Sequence, residues 1–474
     1  MNHSTTAATA EAVYPATDEL AKFVHDLTWD NLPQEVRDRI PTLLVDYFRV
    51  GSVGRSAPWT ERARGVLTAL GGTPDSSILY DDARLDPVRA AYLNGVIAGS
   101  LDWDDTHVGS MLHPGVVTWP AVIAIGELVG ASGKEMAAAA VAGYETVIRV
   151  GLSVQPTHFY RGFHSTTAVG LFGGAVAGAK LLGLGKDGIR DALALATGHA
   201  GGTAQFYLSG SEIKRIQAGK SAAQGVECAL MARAGITGPH DAIEGGAGFG
   251  RSHSDGYDPA PIQDGLGSRY RILDLQMKPH AVSARVLATI ETACTMVDEQ
   301  SVKGADIASI EIGIPEVVVG RLTGNAPRQL QQSQMSIPFG AAMTFCMAPG
   351  RPRPLVFDFN DFGKALETPE VVDLSSRTTC VVDPEIQAAT TLEYVPSRIT
   401  ATLKDGRKVE NRTMLPLGCH KRPMTFDDVA SRFRQVAGPI LDKDALEVWL
   451  DQASRIENIG SAADLMTLRA RRGA

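Results

Sequence analysis

Between Leu101 and Pro114 the chain reads Leu-Asp-Trp-Asp-Asp-Thr-His-Val-Gly-Ser-Met-Leu-His-Pro, which gathers Asp102, Asp104, Asp105, Thr106, His107 and His113 in one short stretch. Carboxylates and imidazoles at the end of a packed segment suit proton transfer, because partial burial brings either group toward neutrality. The apolar, small-residue run Ala90–Ser100 before the stretch reads as a buried helix. If that helix continues through Thr106, then Asp102, Asp105 and Thr106 stand at i, i+3 and i+4 and share one face. A solvated acidic turn is the competing reading, since Asp and Thr are ordinary cap residues. Two later places add chemistry. His164 with Ser165, Thr166 and Thr167 opens a helical run, and a helix start with free N–H groups, hydroxyls and an imidazole would receive a carboxylate. Lys214, near the start of an Ala-rich helix, could pair with such an anion or be a solvated surface charge.

The elements that must position these groups are mostly helical. Thr17 reads as an N-cap for a helix with Leu20, Phe23, Val24 and Leu27 inward, and Pro33 opens a second with Val36, Ile40, Leu43, Leu44 and Tyr47. Helices are expected over Pro87–Ser100, Val116–Val129 (closed by Gly130), Gly133–Val154, Asp191–Ser209 and Ala218–Ala234. On Gly133–Val154 the residues Glu145 and Arg149 form an i, i+4 pair whose usual role is structural. Gly170, Gly173, Gly174 and Gly178 would each weaken a helix by about 1 kcal/mol relative to Ala, so close helix-to-helix packing is expected to compensate. From about Gly265 the character changes: strands are expected in Ala305–Val319 and Thr378–Val382, a hairpin in Ser397–Asn411 about Asp405-Gly406, and helices in Ala281–Val297 and Ile337–Met347. Helical pattern returns at Thr425, spaced from Asp428 as a capping box. The expected fold class is mainly α, with a large all-helical domain formed by both chain ends (16–265 and 410–474) and a smaller α+β lid domain (266–409).

Composition excludes several classes. The 474 residues are 44% hydrophobic and 21% charged, ordinary for a globular protein, and the net charge of −8 argues against a nucleic-acid partner. Five scattered cysteines form no Cys-x-x-Cys pair and suggest neither disulfides nor a cysteine-held metal, which fits a reducing cytoplasm. Met1–Pro15 lacks a basic and apolar signal pattern and reads as a short disordered leader. Met136–Val154 and Ser165–Ala179 are apolar enough to raise the membrane question, but the first carries Glu145 and Arg149 and the second is too short, so no membrane partner is expected. The glycines of Glu244–Gly250 imitate part of a nucleotide fingerprint without the strand that should precede it, so no nucleotide is expected.

Taken in order, Asn94-Gly95, Leu101-Asp-Trp-Asp-Asp-Thr-His107, His113-Pro-Gly115, Gly143-Tyr-Glu145 with Arg149, Phe163-His164, Gly210-Ser-x-x-Lys214 with Ala218-Gly219, and Gly238-Pro239 before Glu244-Gly245 resemble the MmgE/PrpD family. That family contains 2-methylcitrate dehydratases, cis-aconitate decarboxylases and iminodisuccinate epimerases. The resemblance runs from Leu20 to the helix after Pro423. It implies a homodimer, catalysis without metal or organic cofactor, and a cleft between helical domain and lid lined by Asp102, Thr106, His113, His164, Lys214 and Lys278. Arg149, Ser165 and His280 are expected to bind substrate.

Such a set suits an anionic di- or tricarboxylate. Lysines and imidazoles would supply positive charge, while Asp102 or a histidine would exchange a proton at the carbon next to a carboxylate. The enolate-like dianion so formed needs cationic donors already in place. The expected outcome is dehydration of a hydroxy-polycarboxylate; epimerisation of a substituted succinate, decarboxylation of a cis-aconitate-like acid and non-catalytic carboxylate binding are the alternatives. The lid departs from the family pattern. Lys278-Pro279 is followed by His280-Ala281 where a Tyr-Pro is common, Ser283 stands at the usual cysteine and Leu287 at the usual histidine. Phe339 replaces the tyrosine of Ser-Ile-Pro-Tyr, and a phenyl ring donates no hydrogen bond. His280 is a candidate replacement for the lost hydroxyl.

Overall fold

The computed structural model describes residues 16–206 and 211–471. The expected leader Met1–Pro15, residues 207–210 with Gly210 of the Gly-Ser-x-x-Lys motif, and residues 472–474 lie outside the described residues; the helix expected over Asp191–Ser209 ends at His199. The rest is mainly helical with one small sheet.

Apolar stripes become helices where caps allow. Pro33 precedes the helix Gln34–Gly54, Asp86 caps Pro87–Gly99 by accepting from the Arg89 N–H, and Ser132 caps Gly133–Val154 in a reciprocal box with Glu135. The helix Gly115–Val129 ends on Gly130 at φ 67°, the left-handed position that glycine adopts freely. Thr17 is a correction: the first helix begins at Ala16, and the Thr17 hydroxyl instead donates to Glu244 at 2.5 Å. Gly133–Val154 is long and apolar enough to cross a membrane, yet it is buried inside the protein as a core helix.

Two close approaches set the helices around the Asp-rich stretch. A Cβ on Gly95 would lie 2.7 Å from Gly219 Cα, and one on Gly219 would lie 2.2 Å from the Tyr92 carbonyl. Ile213–Arg233 therefore lies against Pro87–Gly99 backbone to backbone, which only paired glycines permit. The glycines of Gly170–Leu181 act likewise: a Cβ at Gly173 would meet Val147 at 2.5 Å and one at Gly174 would lie 3.3 Å from Gly225.

A two-residue ladder, β1 (Ser76–Ser77) with β2 (Arg84–Leu85), precedes the main sheet. That sheet has the order β4-β3-β5-β6, with β3 (Ile307–Ile314) parallel to β4 (Thr378–Val382) and antiparallel to β5 (Ser397–Leu403), which pairs with β6 (Lys408–Thr413). β5 alternates buried and half-buried residues, and its Ile399, Ala401 and Leu403 share an apolar cluster with residues of the helices Leu287–Gln300 and Ile337–Met347.

Buried apolar side chains divide into two clusters. One takes residues from Ala16 to Ala281, Val356, and Met424 to Leu468; the other runs from Val282 to Leu403. The expected boundaries are displaced accordingly. Tyr270, Ile272, Leu275 and Met277 belong to the first cluster although 266 was the expected start of the lid, and β6 continues past 409 because its ladder with β5 extends to Thr413.

Candidate active site

The Asp-rich stretch is a loop, so the expected shared helical face of Asp102, Asp105 and Thr106 does not exist. The preceding helix ends at Gly99, and Asp102 has φ 58°, a left-handed conformation that Asp tolerates better than most residues. The turn sends neighbouring side chains different ways. Trp103 is buried, and its Nε1 donates to the Lys278 carbonyl at 2.9 Å. Asp105 accepts from the Tyr144 hydroxyl at 2.7 Å and from the Gly115 N–H at 2.8 Å. Asp102 and Asp104 instead meet the lysines and His113.

Asp102 is the electrostatic centre. Its Oδ1 lies 3.0 Å from Lys278 Nζ and 3.2 Å from Lys214 Nζ, and the Lys278 ammonium also donates to the Asp102 carbonyl at 2.8 Å. Burial alone would raise this carboxyl; the ammonium groups of Lys214 and Lys278 outweigh it and hold the group well below the usual carboxylate range. Lys278 is positioned from behind. Arg49 donates to the Lys278 carbonyl at 3.0 Å, stacks over Trp103 at 4.2 Å, and is itself held by Asp46.

His113 closes the cluster. Its Nδ1 lies 3.0 Å from the Asp105 carbonyl, 3.1 Å from Thr106 Oγ1 and 3.2 Å from Asp104 Oδ2. A carbonyl only accepts, so Nδ1 carries the hydrogen and Nε2 keeps its lone pair. Among the described residues nothing hydrogen-bonds Nε2, and the side chain is 16% exposed. Burial, with Lys278 nearby, pushes the imidazole down to about 3, so it is neutral at pH 7. His164 is buried, with Nδ1 2.8 Å from Thr167 Oγ1 and Phe206 edge-on at 5.1 Å; burial and the Lys214 charge push it well below its ordinary value. Both imidazoles are thus neutral, which corrects the expectation that they add positive charge: the cations here are the lysines.

Asp102, Thr106, His113, Lys214 and Lys278 converge, and His164 lies close enough to feel Lys214 and His113. Each of the three expected substrate ligands has a partner of its own. The Arg149 side chain is fully buried and donates to Glu145 and to the carbonyls of Ile262, Asp264 and Arg269, so it is spent on holding that loop. The Ser165 hydroxyl accepts from Gln155 Nε2 at 2.6 Å. His280 is buried rather than exposed: its Nδ1 accepts from the Phe357 N–H at 3.1 Å, and burial with Arg432 and Arg49 nearby pushes it down to about 3. It packs against Phe357 and does not touch Asp102. Phe339 is buried in the apolar cluster of the sheet.

Asp104, gathered with the other acids of the stretch in the sequence, was not among the residues expected to line the cleft. Asp102, Asp104 and His113 each place a ligand atom within 4.8 Å of the others, a spacing that a metal ion could use. The two ammonium groups on Asp102 oppose this, because a divalent cation would face both charges at about contact distance.

The MmgE/PrpD N-terminal domain matches residues 18–262 and the MmgE/PrpD C-terminal domain residues 280–457. Among similar proteins, the cis-aconitate decarboxylase-like protein oryM of Aspergillus oryzae is 27% identical over 95% of this chain and 96% of its own. Cis-aconitate decarboxylase of Aspergillus terreus is 25% identical, with 95% of each chain covered, and that of Homo sapiens 26% identical, with 95% of this chain and 94% of its own. With the two matches together spanning nearly the whole length, the chain belongs to the MmgE/PrpD family.

Proposed function

We propose that the protein is a lyase that removes a proton from the carbon next to a carboxylate of a di- or tricarboxylate and expels water from the neighbouring carbon. The observation that carries this reading is a neutral imidazole, His113, with its Nε2 lone pair free beside two ammonium groups. Nε2 is the base. Lys214 and Lys278 bind the substrate carboxylate and stabilise the enolate-like dianion as charge develops on it. Asp102, held ionised by the same lysines, serves to orient them. The proton that His113 takes from carbon is passed to the departing hydroxyl, which leaves as water and restores the neutral imidazole, while His164, neutral and close to Lys214, lines the same site. The sheet-bearing segment acts as the lid, and Lys278 stands just before it, between Met277 and Ala281 of the helical cluster.

Decarboxylation of a cis-aconitate-like acid is the second reading, favoured by what the related proteins are called. It requires an acid to quench the carbanion, and Phe339 offers no hydroxyl for that purpose. Proton NMR in heavy water with citrate, 2-methylcitrate, cis-aconitate, malate, tartrates and iminodisuccinate separates the outcomes. Deuterium uptake with a new alkene is the expected result. Uptake with only a change of diastereomer means an epimerase, and loss of a carboxylate a decarboxylase. His113→Gln should slow the exchange by about 100-fold or more while binding persists. Undiminished exchange in that variant would remove His113 as the base, and ligand binding without exchange in the wild type would overturn the lyase reading.

A further inference from the structure

Beside Asp104 lies a void with about 10 Å³ of room for a water's centre, bordered by Asp46, Tyr47, Asp105 and Gly115 and by the apolar Leu43, Val50 and Val116. That is space for one water. Asp104 borders this void and places Oδ2 3.2 Å from His113 Nδ1. We propose that Asp104 is a positioning residue for His113: its carboxylate, 3.2 Å from an Nδ1 whose hydrogen goes to the Asp105 carbonyl, stabilises by its charge the imidazolium formed when Nε2 takes a proton, and thereby sets how strong a base Nε2 is. The inference rests on the reading of His113 as the base.

The surroundings make this carboxyl the titrating member of the pair. Asp104 faces Asp102, Asp105, Thr106 and His113 on its own loop, and Asp46, itself paired with Arg49, across the void from the helix Gln34–Gly54. Lys214 and Arg215 act on it from Ile213–Arg233, and Lys278 from beyond the loop, while Tyr144 satisfies Asp105. Burial raises Asp104 to about 7, with Lys278 opposing and Asp102 reinforcing the shift. As pH rises through that value Asp104 loses its proton, and the negative charge beside Nδ1–H strengthens Nε2. The base should therefore improve with pH across neutrality and level off above it.

The test is ¹⁵N NMR of the full-length protein labelled at histidine, titrated from about pH 5.5 to about 8.5, with His113→Gln used to assign the signals. The expected result is a His113 imidazole protonated at Nδ1 throughout, whose two nitrogen shifts move with a midpoint near 7. The step should vanish in Asp104→Asn and persist, with a moved midpoint, in Asp104→Glu. No step in the wild-type protein, or an unchanged step in Asp104→Asn, overturns the proposal. With a turned-over substrate, kcat/KM should rise through the same midpoint, and in Asp104→Asn it should be pH-independent and about 10- to 100-fold lower. If no substrate is turned over the functional reading fails, while the histidine titration still decides the role of Asp104.

Discussion

Replacing Lys278 by Met keeps the apolar stem and deletes one of the two ammonium groups on Asp102. At 3.0 Å and an effective dielectric constant of about 20, Lys278 and the Asp102 carboxylate attract by about 5 kcal/mol, and Lys214 at 3.2 Å contributes similarly. Desolvation offsets part of that attraction, but removing one partner leaves the other charge buried and under-compensated, at a typical cost of about 3–5 kcal/mol. Urea unfolding at pH 7 should show a loss of that order. Its pH dependence follows from the sign of the shift. Asp102 is depressed in the folded protein, so its contribution is present above the unfolded value of about 4 and is lost as pH falls through the folded value. In Lys278→Met, burial regains weight and the folded pKa rises, so the gap between variant and wild type should be widest near neutrality and narrow in acid. A double-mutant cycle with Asp102→Asn should return a coupling above about 1 kcal/mol. A gap below about 1 kcal/mol at pH 7, or one that stays constant down to about pH 3, would show that Lys278 does not hold the Asp102 charge.

Lys214→Ala should weaken carboxylate binding by about 10- to 100-fold, the worth of one charge-assisted contact, and calorimetry showing unaltered affinity would remove it from the binding set. Arg149→Met should destabilise the fold by about 3–5 kcal/mol in urea, because Glu145 and the carbonyls of the 262–269 loop lose their donor. The folded fraction of that variant should bind ligand normally, and a selective loss of affinity would return Arg149 to the site. Gly115→Ala would place a Cβ 2.6 Å from the Tyr144 hydroxyl and 2.7 Å from Asp105 Oδ2. Breaking that clasp should cost about 1–3 kcal/mol and slow turnover through the displaced loop, checked by unfolding and kinetics together.

Much of the framework was legible because it is written in local patterns. The capping box of Thr425 with Asp428, the hairpin turn at Asp405-Gly406, the left-handed end at Gly130 and the Glu145–Arg149 pair each depend on residues within a few positions of one another, so spacing alone identifies them. The paired glycines at 95 and 219 were visible as motif residues, and their purpose as a contact between two backbones followed once the helices were placed.

What the chain determined by itself, then, was which segments become helices or strands, the run of acids and histidines after one of them, and membership of a family whose members act on polycarboxylates. Tertiary structure decided the electrostatics, because the pKa of a group depends on neighbours distant in sequence and on its burial. Asp102 is ionised because Lys214 and Lys278 arrive from far along the chain, and the same burial keeps His113 neutral. Only packing could show that Arg149 and His280 are spent on the framework, since a buried donor or acceptor is claimed by whichever partner the fold leaves nearest. The left-handed turn at Asp102 was equally out of reach: φ is set there by the contacts that hold the loop, in which the Asp104 side chain and the Asp105 carbonyl both reach His113 while the Asp105 side chain goes to Tyr144.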